Sequence, residues 1–176
     1  MRTSYVIALG SNQRHPRHGR PTDIIARAIA RLAHGDPVVL AASTVIKSRP
    51  IGPAQRDFAN AVVLIETAMM PRALLSQLKA IESEFGRKAT GQRWRARIID
   101  LDIILWSGGM WSDAVLTIPH VTFRARGFVV KPANEVAARW RDTIQNYRSA
   151  RCAFVLTANA AVSRGRLPRI SAYWGP

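Results

Sequence analysis

"IIDLDIIL", residues 98 to 105, carries six aliphatic residues around two aspartates. The run is too short for an independent helix and reads as a buried strand. Side chains two apart on a strand share a face, so Asp100 and Asp102 project together while Ile99, Leu101 and Ile103 face the opposite layer. Upstream, Pro71 suits a first helical position, Leu74, Leu75, Leu78, Ile81 and Phe85 form an apolar stripe, and Gly86 is placed to end that helix. At the start of the chain "SYVIALG" (4 to 10) reads as a strand ending in the turn residues Gly10, Ser11 and Asn12. After the basic loop "QRHPRHGRP", Thr22 and Asp23 are candidate caps for a helix over 22 to 34 built on Ile24, Ile25, Ala28, Ile29 and Leu32. Residues 38 to 47 and 60 to 67 read as two more strands, separated by the loop "SRPIGPAQRD".

The strand at 98 to 105 completes the order strand, helix, strand, strand, helix, strand. This is the split pattern of a ferredoxin-like α+β fold: a mostly antiparallel sheet with helices covering one face. Beyond it, "LTIPHVTFRARGFVVKPANEV" mixes short apolar runs with Pro119 and Pro132, and the segment after about residue 140 has no strong periodicity. At 176 residues the chain is expected to form one domain, with a core over about 4 to 138 and a C-terminal extension.

Lysine and arginine number 26 against 11 acids, a net charge of +15, which favours anionic ligands. The basic residues are scattered and form no block of five or six, so a nucleic-acid-binding tail is not indicated. Cys152 is the lone cysteine, which excludes an intrachain disulfide and zinc-type cysteine clusters. The apolar stretch Tyr5 to Leu9 is too short for a signal-peptide core, and no run reaches membrane-spanning length. A soluble, unexported, cytoplasmic protein is expected.

Two carboxylates in one small, partly desolvated patch repel each other unless cations neutralise them. Magnesium takes oxygen ligands and commonly fills its remaining positions with water and substrate phosphates, while arginine offers forked donors to phosphate oxygens. Asp100 and Asp102 with Arg93, Arg95 and Arg97 can therefore form a polyphosphate site. On spacing alone, a structural network in which the arginines simply pair with the aspartates fits as well.

The wider stretch "FGRKATGQRWRARIIDLDIILW" (85 to 106) resembles the signature of the 6-hydroxymethyl-7,8-dihydropterin pyrophosphokinases. In these enzymes a Gly-Arg pair, an Arg-Trp pair, a further arginine and Asp-Leu-Asp recur at these separations. "YVIALGSN", "RPIGPAQRDFANAVVLIET", "LLSQLKAIESEFGR" and "LTIPHVTFRARGFVVKPANEV" resemble further family elements in the same order, so the likeness covers about residues 4 to 138. It implies the ferredoxin-like fold and a transfer of pyrophosphate from ATP to the hydroxymethyl oxygen of the dihydropterin, releasing AMP, with ATP as co-substrate and two Mg²⁺ ions.

Carried over position by position, the resemblance makes Asp100 and Asp102 the metal ligands and places Arg87, Arg93 and Arg97 on a catalytic loop. Asp100, Asp102, Arg97 and Arg87 are the catalytic candidates. His120 and Arg126 become phosphate ligands, with Glu82 and Ile103 beside the nucleotide. Phe58 and Phe128 sandwich the pterin, Asn60 pairs with its edge, Trp94 helps seal the site, and Ile51 lies in the pterin loop. Taken alone, Glu82 reads as a solvated helix-face charge, Phe58 and Phe128 as core, and His120 as a surface or capping histidine. The sequence departs from the family at Arg95-Ala96, at Ala89 and Thr90, at Ser48-Arg49, at Val115 and at Val121. The partners implied are small molecules, with no membrane, no specific nucleic acid, and a monomeric state. The competing readings are a ferredoxin-like RNA-binding module, although no RNP-type aromatic run is present, and a homologue that binds pterin and ATP without turnover.

Overall fold

Alternation in "TSYVIALGS" sets the layout of the molecule. Strand β1 (Thr3–Ser11) sends Tyr5, Ile7 and Leu9 into one apolar layer and Val6 and Ala8 toward another on the opposite face. The computed structural model describes residues 1–50, 56–86 and 98–140, the side chain of residue 139 excepted. On one side β1 pairs with β4 (Phe58–Thr67), from Thr3 opposite Thr67 to Ser11 opposite Ala59. On the other it pairs with β5 (Asp100–Trp106), from Gly10 opposite Asp100 to Tyr5 opposite Trp106. Two short strands, β2 (Val38–Ala42) and β3 (Ile46–Ser48), lie along the far side of β4. The order β2-β4-β1-β5, with every pairing antiparallel, is the arrangement expected of the βαββαβ pattern.

The expected second strand over 38 to 47 is interrupted: the Ser43 N–H still donates to the Val62 carbonyl at 2.9 Å, but side chains take up the bonds that follow. The Ser43 hydroxyl accepts the Val62 N–H at 2.9 Å, and the Glu135 carboxylate accepts the Thr44 N–H at 2.9 Å. The third strand begins two residues earlier than expected, at Phe58.

Helices α1 (Pro21–Leu32) and α2 (Pro71–Glu84) cover the Tyr5, Ile7 and Leu9 face. The first starts earlier than expected: Arg20 is its cap residue, and Asp23 accepts the Arg20 N–H at 2.9 Å rather than capping the helix itself. The second ends as its sequence implies, with Gly86 at a φ of +88° just past Phe85. Arg31 clamps the two helices, its Nε and Nη2 donating to both carboxylate oxygens of Glu84 at 2.7 and 2.8 Å. Both side chains are well exposed, so Glu84→Gln is expected to cost less than about 1 kcal/mol. Chemical denaturation at low and at high salt checks this, since the difference should fade as salt rises.

A third helix, α3 (Gly127–Val136), packs on the opposite face with Val129 and Ala133 against Val6, Val62 and Phe123. Helices therefore lie on both faces of the sheet rather than on one. Pro132 inside α3 hid it from the sequence reading, because proline removes an N–H and normally ends a helix. Here its ring is buried, on the same stripe as Val129 and Ala133. Between β5 and α3 the chain forms the hairpin β6 (Trp111–Ser112) and β7 (Thr117–Ile118), then a short 3₁₀ turn over Phe123–Ala125.

Candidate functional site

Along the α3 face of β1 the side chains shrink from Val6 through Ala8 to Gly10. The register places Gly10 between Asp100 on β5 and Asn60 on β4, and Ala8 between Asp102 and Val62. A shallow floor thus separates the two aspartates from Asn60. Two interstrand spacings put these walls about 10 Å apart. A Cβ built on Gly10 would meet the Asn60 Oδ1 at 3.6 Å, so alanine would fit there while a longer side chain would fill the floor.

Asn60 is buried, and its orientation is set from β3, where the Ser48 hydroxyl accepts the Asn60 Nδ2 at 2.9 Å. Ser48, a departure from the family pattern, is therefore part of the wall. Phe58 lies two residues along on the same face of β4, half-buried, and Phe128 is half-buried in the first turn of α3. Neither is closed into the core.

The aspartates project onto this floor as the strand alternation predicts, with Ile99, Leu101 and Ile103 buried on the α1 and α2 side. A bulge beyond Ile103 then shifts the register and turns both Ile104 and Leu105 into the layer around α3. It also frees the Ile104 carbonyl to accept the His120 N–H at 3.0 Å, which fixes His120 beside the pair. The His120 Nδ1 accepts the Thr122 N–H at 3.3 Å, leaving Nε2 as the protonated, donating nitrogen. Burial holds the His120 pKa below the ordinary histidine value despite the neighbouring Asp102 and Asp100. Arg126 caps α3 and acts on both Asp102 and His120.

Burial first, and the Asp100 charge second, push the Asp102 carboxyl above its usual range, and Lys79, His120 and Arg126 only partly offset this. A buried carboxylate whose charge is only partly offset, with a second oxygen donor on the same face, suits magnesium, which needs only one or two carboxylates when phosphates supply the remaining contacts. Among the described residues no cluster of three or more His, Cys, Asp or Glu side chains is arranged to hold a metal without such help.

Glu82 departs from the solvated reading: it is 1% exposed. Its Oε1 accepts the Leu101 N–H at 2.7 Å and pairs with Lys79 Nζ at 2.8 Å. Burial raises its pKa, with Lys79 opposing. Lys79 was missed in the sequence, although its place one helical turn before Glu82 was the available signal. The Ile103 side chain is in the core, so only its main chain could reach a ligand. Because the Leu101 N–H points away from β1, alternation turns the Ile103 main-chain groups to the same side of β5. A hollow of about 570 Å³ opens beside His120, bordered by Trp111, Thr117, Pro119, Val121 and Arg124. Ile51, Arg87, Arg93, Trp94 and Arg97 lie outside the described residues.

Residues 6–138 match the family model for 7,8-dihydro-6-hydroxymethylpterin-pyrophosphokinase. The 2-amino-4-hydroxy-6-hydroxymethyldihydropteridine pyrophosphokinase of Haemophilus influenzae is 40% identical over 139 residues, covering 78% of this chain and 83% of that protein. Its namesake from Synechocystis is 37% identical over 138 residues, covering 78% and 68%. The folic acid synthesis protein fol1 of Schizosaccharomyces pombe is 44% identical over 78 residues, covering 44% of this chain and 10% of that much longer protein. With the family model spanning most of its length, and the expected sheet order and facing aspartates in place, the chain belongs to the 7,8-dihydro-6-hydroxymethylpterin-pyrophosphokinase family.

Proposed function

We infer that this protein transfers the pyrophosphoryl group of ATP to the hydroxymethyl oxygen of 6-hydroxymethyl-7,8-dihydropterin, in folate biosynthesis. A bond forms between that oxygen and the β-phosphorus, the bond from the β-phosphorus to the α,β-bridging oxygen breaks, and AMP and the hydroxyl proton leave. The observation that carries this reading is the floor at Gly10 and Ala8, with an amide wall at Asn60 on one side and a carboxylate pair on the other.

A flat bicyclic acceptor lies across this floor. Asn60 pairs with its amide-like edge, which an amide can do as both donor and acceptor. Phe58 and Phe128 close on its faces, with Trp94 and Ile51 completing the pocket, and its hydroxymethyl arm points to Asp100 and Asp102. Those aspartates would hold Mg²⁺, two ions in our reading, and the metal supplies charge neutralisation of the triphosphate and orientation of the attacking oxygen. His120 donates from Nε2 to a phosphate oxygen as a neutral imidazole, and Arg126 adds a fixed positive charge. Arg87, Arg93 and Arg97 are the further triphosphate ligands in our reading, Arg97 first among them. Glu82 and the Ile103 main chain line the nucleotide end.

One domain over residues 1–176 carries this activity in our reading, as a cytoplasmic monomer. The RNA-binding alternative is disfavoured by the site face itself. Where such domains present an aromatic on the central strand for stacking, β1 carries Ala8 and Gly10 on this face, and β5 adds two carboxylates that would repel a phosphate backbone.

The reading is tested by incubating the protein with ATP, Mg²⁺ and the dihydropterin and resolving the nucleotides formed. Pterin-dependent AMP is expected; ADP, or no pterin-dependent AMP, would overturn it. The floor gives a further prediction. Gly10→Ala is expected to stay within about threefold of the parent in KM for the pterin, whereas Gly10→Leu raises it at least ~10-fold by filling the space beside Asn60. Steady-state kinetics at saturating ATP measures both.

A further inference from the structure

Among the described residues β5 is the edge of the sheet and pairs with β1 alone. At its outer side the peptide between the two aspartates is not left to solvent: the Leu101 N–H donates to Glu82 Oε1 at 2.7 Å, and Glu82 is almost fully buried. The same oxygen is held by Lys79 from one turn earlier on α2. Because α2 is itself anchored by Leu74, Leu78 and Ile81 in the main core, Glu82 joins a rigid helix to the middle of the Asp-Leu-Asp triplet.

We propose that Glu82 is a positioning residue. It fixes the main chain between Asp100 and Asp102, and so the mutual placement of the two carboxylates that receive Mg²⁺ and the triphosphate. This rests on the reaction assigned above but gives Glu82 a task beyond nucleotide contact. Strand alternation turns both aspartates the same way, yet at a strand edge with one partner it does not fix their spacing against a neighbour. A buried acceptor on the Leu101 N–H does, in the manner of the outer-shell groups that orient metal ligands.

Three variants separate reach from charge. Glu82→Gln keeps an oxygen for the Leu101 N–H without the charge, Glu82→Asp keeps the charge one methylene short, and Glu82→Met keeps neither. Amide hydrogen exchange at Leu101, Mn²⁺ binding by electron paramagnetic resonance with a non-hydrolysable ATP analogue, and kcat with KM for ATP are measured on the full chain. In Glu82→Asp and Glu82→Met we expect Leu101 exchange to accelerate, and Mn²⁺ affinity and kcat to fall about 10- to 100-fold with KM for ATP little changed. Glu82→Gln should keep Leu101 protection close to the parent and should lose less Mn²⁺ affinity and kcat than Glu82→Asp. If all variants instead raise KM for ATP while kcat and Leu101 protection persist, Glu82 acts on the nucleotide alone and the proposal fails. Should Glu82→Met not fold, the contrast of Gln with Asp decides. Absence of pterin-dependent AMP from the unsubstituted protein would overturn the reaction instead, and Leu101 exchange would still test the positioning.

Discussion

Replacing either Asp100 or Asp102 with alanine is expected to lower kcat by on the order of 10³-fold or more, because in the proposed reaction the charge that would gather Mg²⁺ onto the triphosphate is lost. The fold should survive. Neither side chain is part of the buried apolar layers, and Asp102 is held in an unfavourable position when no cation is present. The sign of the stability change follows from its raised pKa. A carboxyl that prefers to be protonated in the folded state contributes stability below its ordinary value of 3.8, and that contribution is lost as pH rises through the higher folded value. Asp102→Asn removes the loss, so the metal-free variant should melt above the parent at pH 7 to 8, and the difference should shrink at pH values near and below 3.8. Thermal melts across pH, in chelator, read this directly. Near-normal turnover in either alanine variant would remove the pair from the reaction, and a lower melting temperature for Asp102→Asn at neutral pH would contradict the electrostatics.

Phe123→Ala should produce the largest loss of stability. The ring is fully buried among Val6, Val62, Ile104, Leu105 and Val129, and truncating such a phenylalanine leaves a cavity worth about 3–5 kcal/mol. That corresponds to a fall in Tm on the order of 10 °C. The consequence reaches the site, because the Phe123 N–H donates to the His120 carbonyl at 3.2 Å and its carbonyl accepts the Arg126 N–H at 3.0 Å. Protein that remains folded at low temperature should therefore show a raised KM for ATP. Phe123→Leu, which keeps most of the volume, should lose far less on both counts. A Tm unchanged by the alanine substitution would mean that this layer is not what seats α3 and the turn before it.

Much of the fold was legible because its signals are local. "YVIALG" and "IIDLDIIL" are short runs of strand formers, the second with its aspartates two apart, the α1 and α2 stripes repeat at helical spacing, and Pro71 and Gly86 mark the ends of α2. The two larger misreadings share one cause, the override of a local preference by tertiary packing and bonding. Ser43 and Thr44 break a strand-like run because Val62 and Glu135 offer better bonds, and Pro132 stays helical because its ring is buried. The site divides likewise: the aspartate pair follows from a spacing of two, whereas the burial of Glu82, the part played by Lys79 and the seat of His120 on the Ile104 carbonyl arise from contacts between elements.

The sequence by itself determined the βαββαβ order of the core, the shared face of Asp100 and Asp102, and the family to which the motifs point. These rest on spacing along one chain, which covalent geometry converts directly into direction. Only the tertiary structure decided which face α3 covers, that the taper from Val6 to Gly10 forms a floor between Asn60 and the aspartates, and that a helix carboxylate holds the peptide between them. Strand register, a bulge and the burial of a charge depend on which distant residues come into contact, and no local preference encodes that.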